Sequence, residues 1–316
     1  MIENQYITSY YLSIDENDNF IDLDTSIKMT SLVESYSLAK YGSMKDIQNI
    51  SKIIIKSIFT EIDDLGSELR KILEKAKKNN DFIVLMTPGY RNVKSSANIM
   101  FETVLPIVNT KLSILGLPII AEMKLPRLAS PTENYASLSQ KEREIVGLTT
   151  DHILPDVNFY QNDIHVLYGD DVLITGSSSN KARLDTLSKG AKSFLSIYSI
   201  VIDSNITTVN PSIEEFLNTS KVTGKLDSSA EEIFIQDNFE PVLRSLRLIL
   251  NRENSKDLKV FMKKIPIENI LKIYIAYITN ESIINEKYFK SLEIIKKYLV
   301  EHNKIYSDGN LIYDNY

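Results

Sequence analysis

The sequence predicts an α/β protein: a parallel sheet flanked by helices, with an N-terminal hairpin and helices before it and a helical region after it. Two observations point there. Short runs of consecutive apolar residues, FIVLMT (82–87), LPIIAEMK (117–124), IHVLY (164–168) and FLSIYSIVID (194–203), alternate with segments of helical period. Strands that read as unbroken apolar runs, separated by helices, are those buried on both faces of a parallel sheet.

Taken in order, residues 5–23 read as a hairpin, ITSYYLSI and FIDLD joined by a turn at Asp15–Asn19. Ile47, Ile50, Ile54 and Ile58 form one helical stripe, and Leu65, Leu69, Ile72 and Ala76 a second. The run 82–87 ends in Pro88-Gly89, and a helix with Ala97, Phe101, Val104, Val108 and Leu112 on one face follows it. That helix stops at Gly116, with Pro106 inside it as a place for a kink. A further helix, about 180–189, separates the last two apolar runs and ends at Gly190. Residues 125–163 break the rhythm: they are polar, hold three Pro and contain one short helix-like piece, SLSQKEREIV. So long a connection inside an α/β domain is more often functional than idle. After about 206 the chain is helical to near 303, with Asn210-Pro211-Ser212 opening the first piece. These changes divide the chain into 1–80, 81–205 and 206–316.

Composition removes several classes of chemistry. Hydrophobic residues make up 43% and charged residues 25% of 316, which argues against disorder. With no Cys there is no disulfide, thiolate zinc site or cysteine nucleophile, and three His (His152, His165, His302) do not suggest a His-rich metal centre. The net charge is −6, and the Lys clusters at 75–78, 263–264 and 296–297 fall on helix-like segments as solvated faces, which argues against a nucleic-acid partner. No apolar stretch approaches the roughly 20 residues needed to span a bilayer. The N-terminus lacks the basic start and apolar run of a signal peptide, so the expected location is the cytoplasm.

The stretch that carries chemistry is IHVLYGDDVLITGSSSNKAR (164–183). An apolar strand is expected to end in two adjacent carboxylates, Asp170 and Asp171, followed by Thr175-Gly176-Ser177-Ser178-Ser179 and a helix. Gly176 can take backbone angles closed to other residues. The N–H groups after it, at a helix N-terminus, suit a phosphate, and the Thr and Ser hydroxyls add donors. A vicinal diol one sugar ring away needs acceptors, which the acidic pair supplies. The same carboxylates could hold Mg²⁺. The C-terminal end of a parallel strand is where open α/β sheets bind ligands.

This strand–Asp-Asp–three residues–Thr-Gly-Ser pattern is similar to the phosphoribosyl pyrophosphate signature of type I phosphoribosyltransferases. The resemblance implies that Asp170 and Asp171 bind the ribose hydroxyls at the reacting centre and that Thr175 to Ser179 bind the 5′-phosphate. Gly169 departs from the family, which keeps a bulky apolar residue there, and is expected to loosen the strand end. The family receives pyrophosphate on a loop after an earlier strand, a place occupied here by Gly89, Tyr90 and Arg91; Arg91 is otherwise a surface residue on a Pro-Gly turn. Lys124 and Arg127 fit the family's basic residue after the next strand, or else are surface cations. The polar stretch, which includes Lys141 and Arg143, matches the loop that closes over substrate, and residues 128–150 are expected to be mobile without ligand. Tyr135, Phe159 or Tyr160 could stack on a planar base. The flanks resemble one subfamily, phosphoribosyltransferase-like proteins encoded near bacterial tellurite-stress genes. That likeness rests on Pro88-Gly89-Tyr90-Arg91, the Ser139–Arg143 segment after Tyr135, Asp-Asp followed by Ile-Thr-Gly-Ser, and Asn210-Pro-Ser-Ile-Glu.

The reaction so implied exchanges pyrophosphate and a nitrogen nucleophile at C1 of a ribose 5-phosphate, with Mg²⁺ as cofactor. The partners are phosphoribosyl pyrophosphate and an acceptor the sequence does not name; a homodimer is compatible with this reading. The alternative is a non-catalytic sensor that binds a phosphoribosyl ligand in the same pocket.

Overall fold

The computed structural model describes residues 6–127, 155–210, 212–280 and 286–312. The expectations for 128–150, Tyr135, Lys141, Arg143 and His152 lie outside the described residues. The chain forms two compact units: Met1–Val33, Gln48–Arg91 and Ala97–Leu217 make the first, and Glu34–Ile47, Asn92–Ser96 and Asn218–Tyr316 the second.

The first unit is built on one sheet. Its strands are β1 (Tyr6–Ile7), β2 (Tyr10–Ile14), β3 (Phe20–Asp22), β4 (Phe82–Met86), β5 (Ile120–Met123), β6 (Ile164–Leu173) and β7 (Ser193–Ile202). Their spatial order is β3-β2-β7-β6-β4-β5, with β1 also on β7, and every pairing is parallel except the β2–β3 hairpin. The expected hairpin thus forms, with Asp15 accepting from the amides of Asn17 and Asn19 at 2.9 and 2.8 Å to close its turn. The helices before β5 are α1 (Thr30–Lys40), α2 (Met44–Asp63), α3 (Glu68–Asn79) and α4 (Ser96–Ile114). Ile47, Ile50, Ile54 and Ile58 of α2 are buried, as are Leu69, Ile72 and Ala76 of α3. Leu65 is not part of that second stripe; it is 72% exposed, because α3 begins only after Ser67, whose hydroxyl caps the amide of Arg70.

After β5 come the short α5 (Val157–Tyr160), α6 (Ser177–Ser188), α7 (Ser204–Val209) and α8 (Ile213–Asn218). Ala182 of α6 packs with Val84, Met86, Val166 and Tyr168 on one sheet face. Helix α4 covers the other, with the Phe101 ring over Gly169. In the second unit, α9 (Ser228–Phe234), α10 (Leu243–Leu250), α11 (Leu258–Met262), α12 (Ile267–Thr279) and α13 (Glu286–Glu301) enclose a core that includes Phe234, Phe239, Phe261, Ile270 and Ile295. Among the described residues no helix is long and apolar enough to cross a membrane.

Two expectations are corrected at β6. Strand β6 does not end at the acidic pair but continues to Leu173, because β7 is long enough to pair with it as far as Val201. Strand β4 stops opposite Tyr168, so Gly169 to Leu173 project beyond it with β7 as their recorded strand neighbour. Nor does Gly169 loosen the strand. A Cβ there would lie 2.5 Å from the Phe101 ring, so the glycine makes room for an aromatic side chain from α4 that fills the space a bulky residue would take.

Candidate ribose-phosphate site

Consecutive strand residues face opposite sides of a sheet, and the acidic pair follows that rule in its burial: Asp170 is half-buried and Asp171 only 4% exposed. The Asp170 carboxylate accepts the amide of Asp171 at 2.9 Å. The ladder with β7 is recorded at Asp170↔Tyr198 and resumes at Val172↔Ile200. Between those two pairs the Ser199 hydroxyl donates to the Asp171 carbonyl. The pair therefore sits on a braced overhang of the central strand, not on a free end.

The turn after the strand has the expected backbone. Gly176 adopts φ 69° and ψ 7°, a left-handed conformation, as the N-cap of the twelve-residue α6. The first intrahelical bond runs from the Asn180 amide to the Gly176 carbonyl at 2.8 Å, so the amides of residues 177–179 precede the helical ladder. The Thr175 and Ser177 hydroxyls are 3.0 Å apart, and Thr175 Oγ1 accepts the Ser177 amide at 3.4 Å. Ser178 is exposed, whereas Ser179 is buried and donates to the Gly176 carbonyl at 3.1 Å. Hydroxyls and amides at a helix N-terminus favour an anion.

A second group of expected residues comes together at the ends of β4 and β5, on the same edge of the sheet. Tyr90 bridges to Pro126; its amide donates to the Leu125 carbonyl at 3.1 Å and its carbonyl accepts from the Arg127 amide at 3.4 Å. Arg91 Nε donates to the Arg127 carbonyl at 3.1 Å. The Lys124 ammonium lies 4.4 Å from the centre of the Tyr90 ring. Gly89 is buried. Sequence reasoning missed Asn98, on α4, whose side-chain amide donates to Thr87 Oγ1 and the Pro88 carbonyl, both at 2.9 Å, and so fixes the loop.

It also missed the contribution of β7. Tyr198, opposite Asp170, is 2% exposed. Burial pushes its hydroxyl pKa up to about 12, with the Asp170 charge adding to the rise. The Tyr6 ring of β1 meets it edge-on at 6.1 Å. The polar positions in the run SFLSIYSIVI were the available signal, since parallel register sets Tyr198 and Ser199 beside the acidic pair.

Asp170 and Asp171 offer oxygen donors only, the chemistry Mg²⁺ takes when one or two carboxylates hold it and water and substrate phosphate complete its shell. Asp170 fits that ion, whereas Asp171, 4% exposed on the opposite sheet face, is not turned to share it. Among the described residues no group of three or more His, Asp or Glu gathers as a metal site, so the ligand's own oxygens would be needed. A separate concavity of about 430 Å³ opens in the second unit among residues that include Lys94, Glu240 and Lys272. Its lysines are engaged, Lys94 by Glu240 at 3.4 Å and Lys272 by the Phe239 carbonyl at 3.0 Å. None of the residues around it belongs to the acidic pair or the phosphate turn.

No family profile and no curated protein matches the chain. Solved structures do. A hypoxanthine phosphoribosyltransferase of Trypanosoma cruzi is similar at 11% identity and a TM-score of 0.29, covering 52% of this chain and 68% of its own. A variant of that enzyme in a ternary substrates complex gives 12%, 0.28, 52% and 80%. A hypoxanthine phosphoribosyltransferase with an invariant aspartic acid changed to asparagine gives 12%, 0.29, 52% and 78%.

Proposed function

We propose that this chain transfers a ribose 5-phosphate group between pyrophosphate and a nitrogen nucleophile, a base-like small molecule. The observation that carries the reading is the juxtaposition on one strand–turn–helix unit: two carboxylates on the β6 overhang, then a left-handed Gly176 leading hydroxyls and amides into α6. A pentose 5-phosphate has this polarity, with diol donors at one end and a dianion at the other. In the forward direction the C1–O bond to pyrophosphate breaks and its electron pair leaves with the pyrophosphate. The nucleophile's lone pair forms the new C1–N bond, and its proton passes to solvent. Positive charge develops on the ring, as in glycosyl transfer generally. Asp170 holds the hydroxyls and lies near that charge, while Asp171 is buried on the opposite sheet face; Thr175, Gly176, Ser177, Ser178 and Ser179 anchor the 5′-phosphate; Arg91, with Lys124 and Arg127, faces the leaving group. Bound Mg²⁺ would supply charge neutralisation for pyrophosphate.

The second reading, a phosphoribosyl sensor without catalysis, is favoured by one observation: Arg91 Nε is engaged by the Arg127 carbonyl, and gripping pyrophosphate with the full fork requires exchanging that bond. Calorimetry separates the two readings. Phosphoribosyl pyrophosphate should bind with a Mg²⁺ requirement, and Arg91→Ala should weaken it about tenfold to a hundredfold while sparing ribose 5-phosphate. Binding of both ligands with no effect of the mutation selects the sensor. Absence of binding of either at millimolar concentration overturns the site.

A further inference from the structure

In the second unit, three segments enclose the concavity of about 430 Å³: residues 92–94, residues 238–241 and the C-terminal half of α12. That volume falls in the range of sites for small organic molecules, roughly 300–1,000 Å³. Hydrogen bonds tie both loops to α12 and the residue after it. Asn92 Nδ2 donates to the Thr279 carbonyl at 2.6 Å, the Val93 amide to Asn280 Oδ1 at 3.4 Å, and Lys272 Nζ to the Phe239 carbonyl at 3.0 Å. The start of α12 is pinned as well, by Asn269 Nδ2 donating to the carbonyls of Phe234 and Gln236 at 2.8 and 2.9 Å. The walls are thus held by bonds of their own, and a ligand need not order them.

Val93 and Phe239 are buried and Pro241, Ile275 and Ala276 half-buried, which gives the concavity an apolar wall. Its charged lining residues are Lys94, Glu240 and Lys272, two ammonium groups against one carboxylate. Glu240 balances Lys94 at 3.4 Å. Lys272 has a carbonyl instead, a partner that holds the ammonium in place through one N–H but leaves its charge uncompensated. That charge and the remaining donors suit a single anionic group. We infer that this concavity binds a small organic monoanion, a carboxylate or sulfonate on an apolar body, with Lys272 as the charge partner and the wall at Phe239, Ile275 and Ala276 receiving the body. The inference is independent of the ribose-phosphate reading. A pentose phosphate is dianionic and hydroxylated, and it matches neither the single surplus charge nor the apolar wall.

Fluorescence titration of the whole chain with 1-anilinonaphthalene-8-sulfonate tests it, beside N-phenyl-1-naphthylamine, the same ring system without the sulfonate. The sulfonate should saturate one site. Lys272→Gln, at an exposed position, should weaken the sulfonate about tenfold and leave the neutral analogue unchanged. Ala276→Phe fills the apolar wall and should weaken both. A sulfonate that never saturates overturns the inference, and so does one whose affinity either variant leaves unchanged, because the probe then sits elsewhere. Equal weakening of the two probes by Lys272→Gln also overturns it, since the lysine would then shape the wall and not read charge. Should Ala276→Phe lose its fold, the Lys272→Gln comparison decides alone. Displacement of the sulfonate by millimolar ribose 5-phosphate would put the probe at the phosphate turn, which counts against this second site and not against the first.

Discussion

At the start of β6, His165 lies between Asp81 and Ser193, with the His165 and Asp81 side chains each 1% exposed. Further along the same strand, Asp170 and Asp171 occupy an overhang that β4 does not reach. At the first end a carboxylate is closed in by basic groups from two neighbouring segments. Asp81 accepts from His165 Nε2 at 3.2 Å and Lys192 at 2.8 Å, and Lys192 also reaches Asp163 at 2.8 Å. Because the Asp81 carboxylate can only accept, Nε2 carries the imidazole proton, and Nδ1 accepts from the Ser193 hydroxyl at 2.7 Å. At the other end the neighbours include hydroxyls and amides, from Ser199 and from the 175–179 turn. The difference teaches what charge does in each place: the ionic end joins the starts of β4, β6 and β7, and the hydroxyl-lined end suits a ligand with donors and an anionic group.

The largest effect expected from this contrast is on stability. Asp81→Ala leaves the buried His165 Nε2–H without its acceptor, while Lys192 keeps Asp163, and stranding a buried donor costs about 1–3 kcal/mol. Denaturant unfolding should show that loss, while ribose 5-phosphate affinity of the folded variant stays at the wild-type value. Loss of affinity in step with stability would mean that the two ends of the strand are not separable.

At the opposite end the pattern should invert. Asp170→Asn with Asp171→Asn should cost about 1–3 kcal/mol of binding per lost charge-assisted hydrogen bond, with a smaller change in unfolding free energy. Asp171 is buried, so the near-isosteric Asn is the substitution that keeps packing intact. Wild-type affinity in the double variant would remove the acidic pair from the site.

The sequence reveals these two ends unequally. The centres of the parallel strands are legible because apolar runs have few other places to go, and Thr175–Ser179 is legible because Gly176 and a helix start follow one another. The extension of β6 through Gly169-Asp170-Asp171 is not, since Gly and Asp are poor strand formers and the outcome is decided by the length of β7. Gly169 misleads for a related reason: its partner is Phe101, on a different element. The His165 network is hidden as well, because Asp81 and Lys192 join it only through register. The Lys124, Tyr90, Arg91 and Arg127 group could be anticipated as neighbours by strand order. The bond from Arg91 to a backbone carbonyl could not, because it depends on the path of the loop.

The smallest predicted effect sharpens the contrast through pH. Burial lowers the His165 pKa below its ordinary value, with the Lys75 and Lys192 charges acting in the same direction and Asp81 opposing them. Burial alone would raise Asp81, but hydrogen bonds from Lys192, His165 and Asn79 outweigh it and hold that carboxyl below its usual value. Both shifts mean that the unfolded chain takes up protons first as pH falls. For His165 the loss of stability begins near the unfolded value of about 6.5, and for Asp81 near about 3.9. Lys192 is shifted the other way, upward, by its hydrogen bonds to Asp163 and Asp81, so its contribution is present at neutral pH and disappears only as pH rises through its folded value. Thermal midpoints should therefore fall between about pH 7 and pH 5, before most carboxylates titrate. His165→Gln keeps a donor toward Asp81 without a group that titrates there, and it should flatten that upper part of the acid limb while leaving the steeper part below about pH 4.5 in place. Parallel curves for wild type and variant across pH 5 to 7 would show that the sensitivity arises elsewhere, and that the sealed end of β6 is no more responsive to protons than the open one.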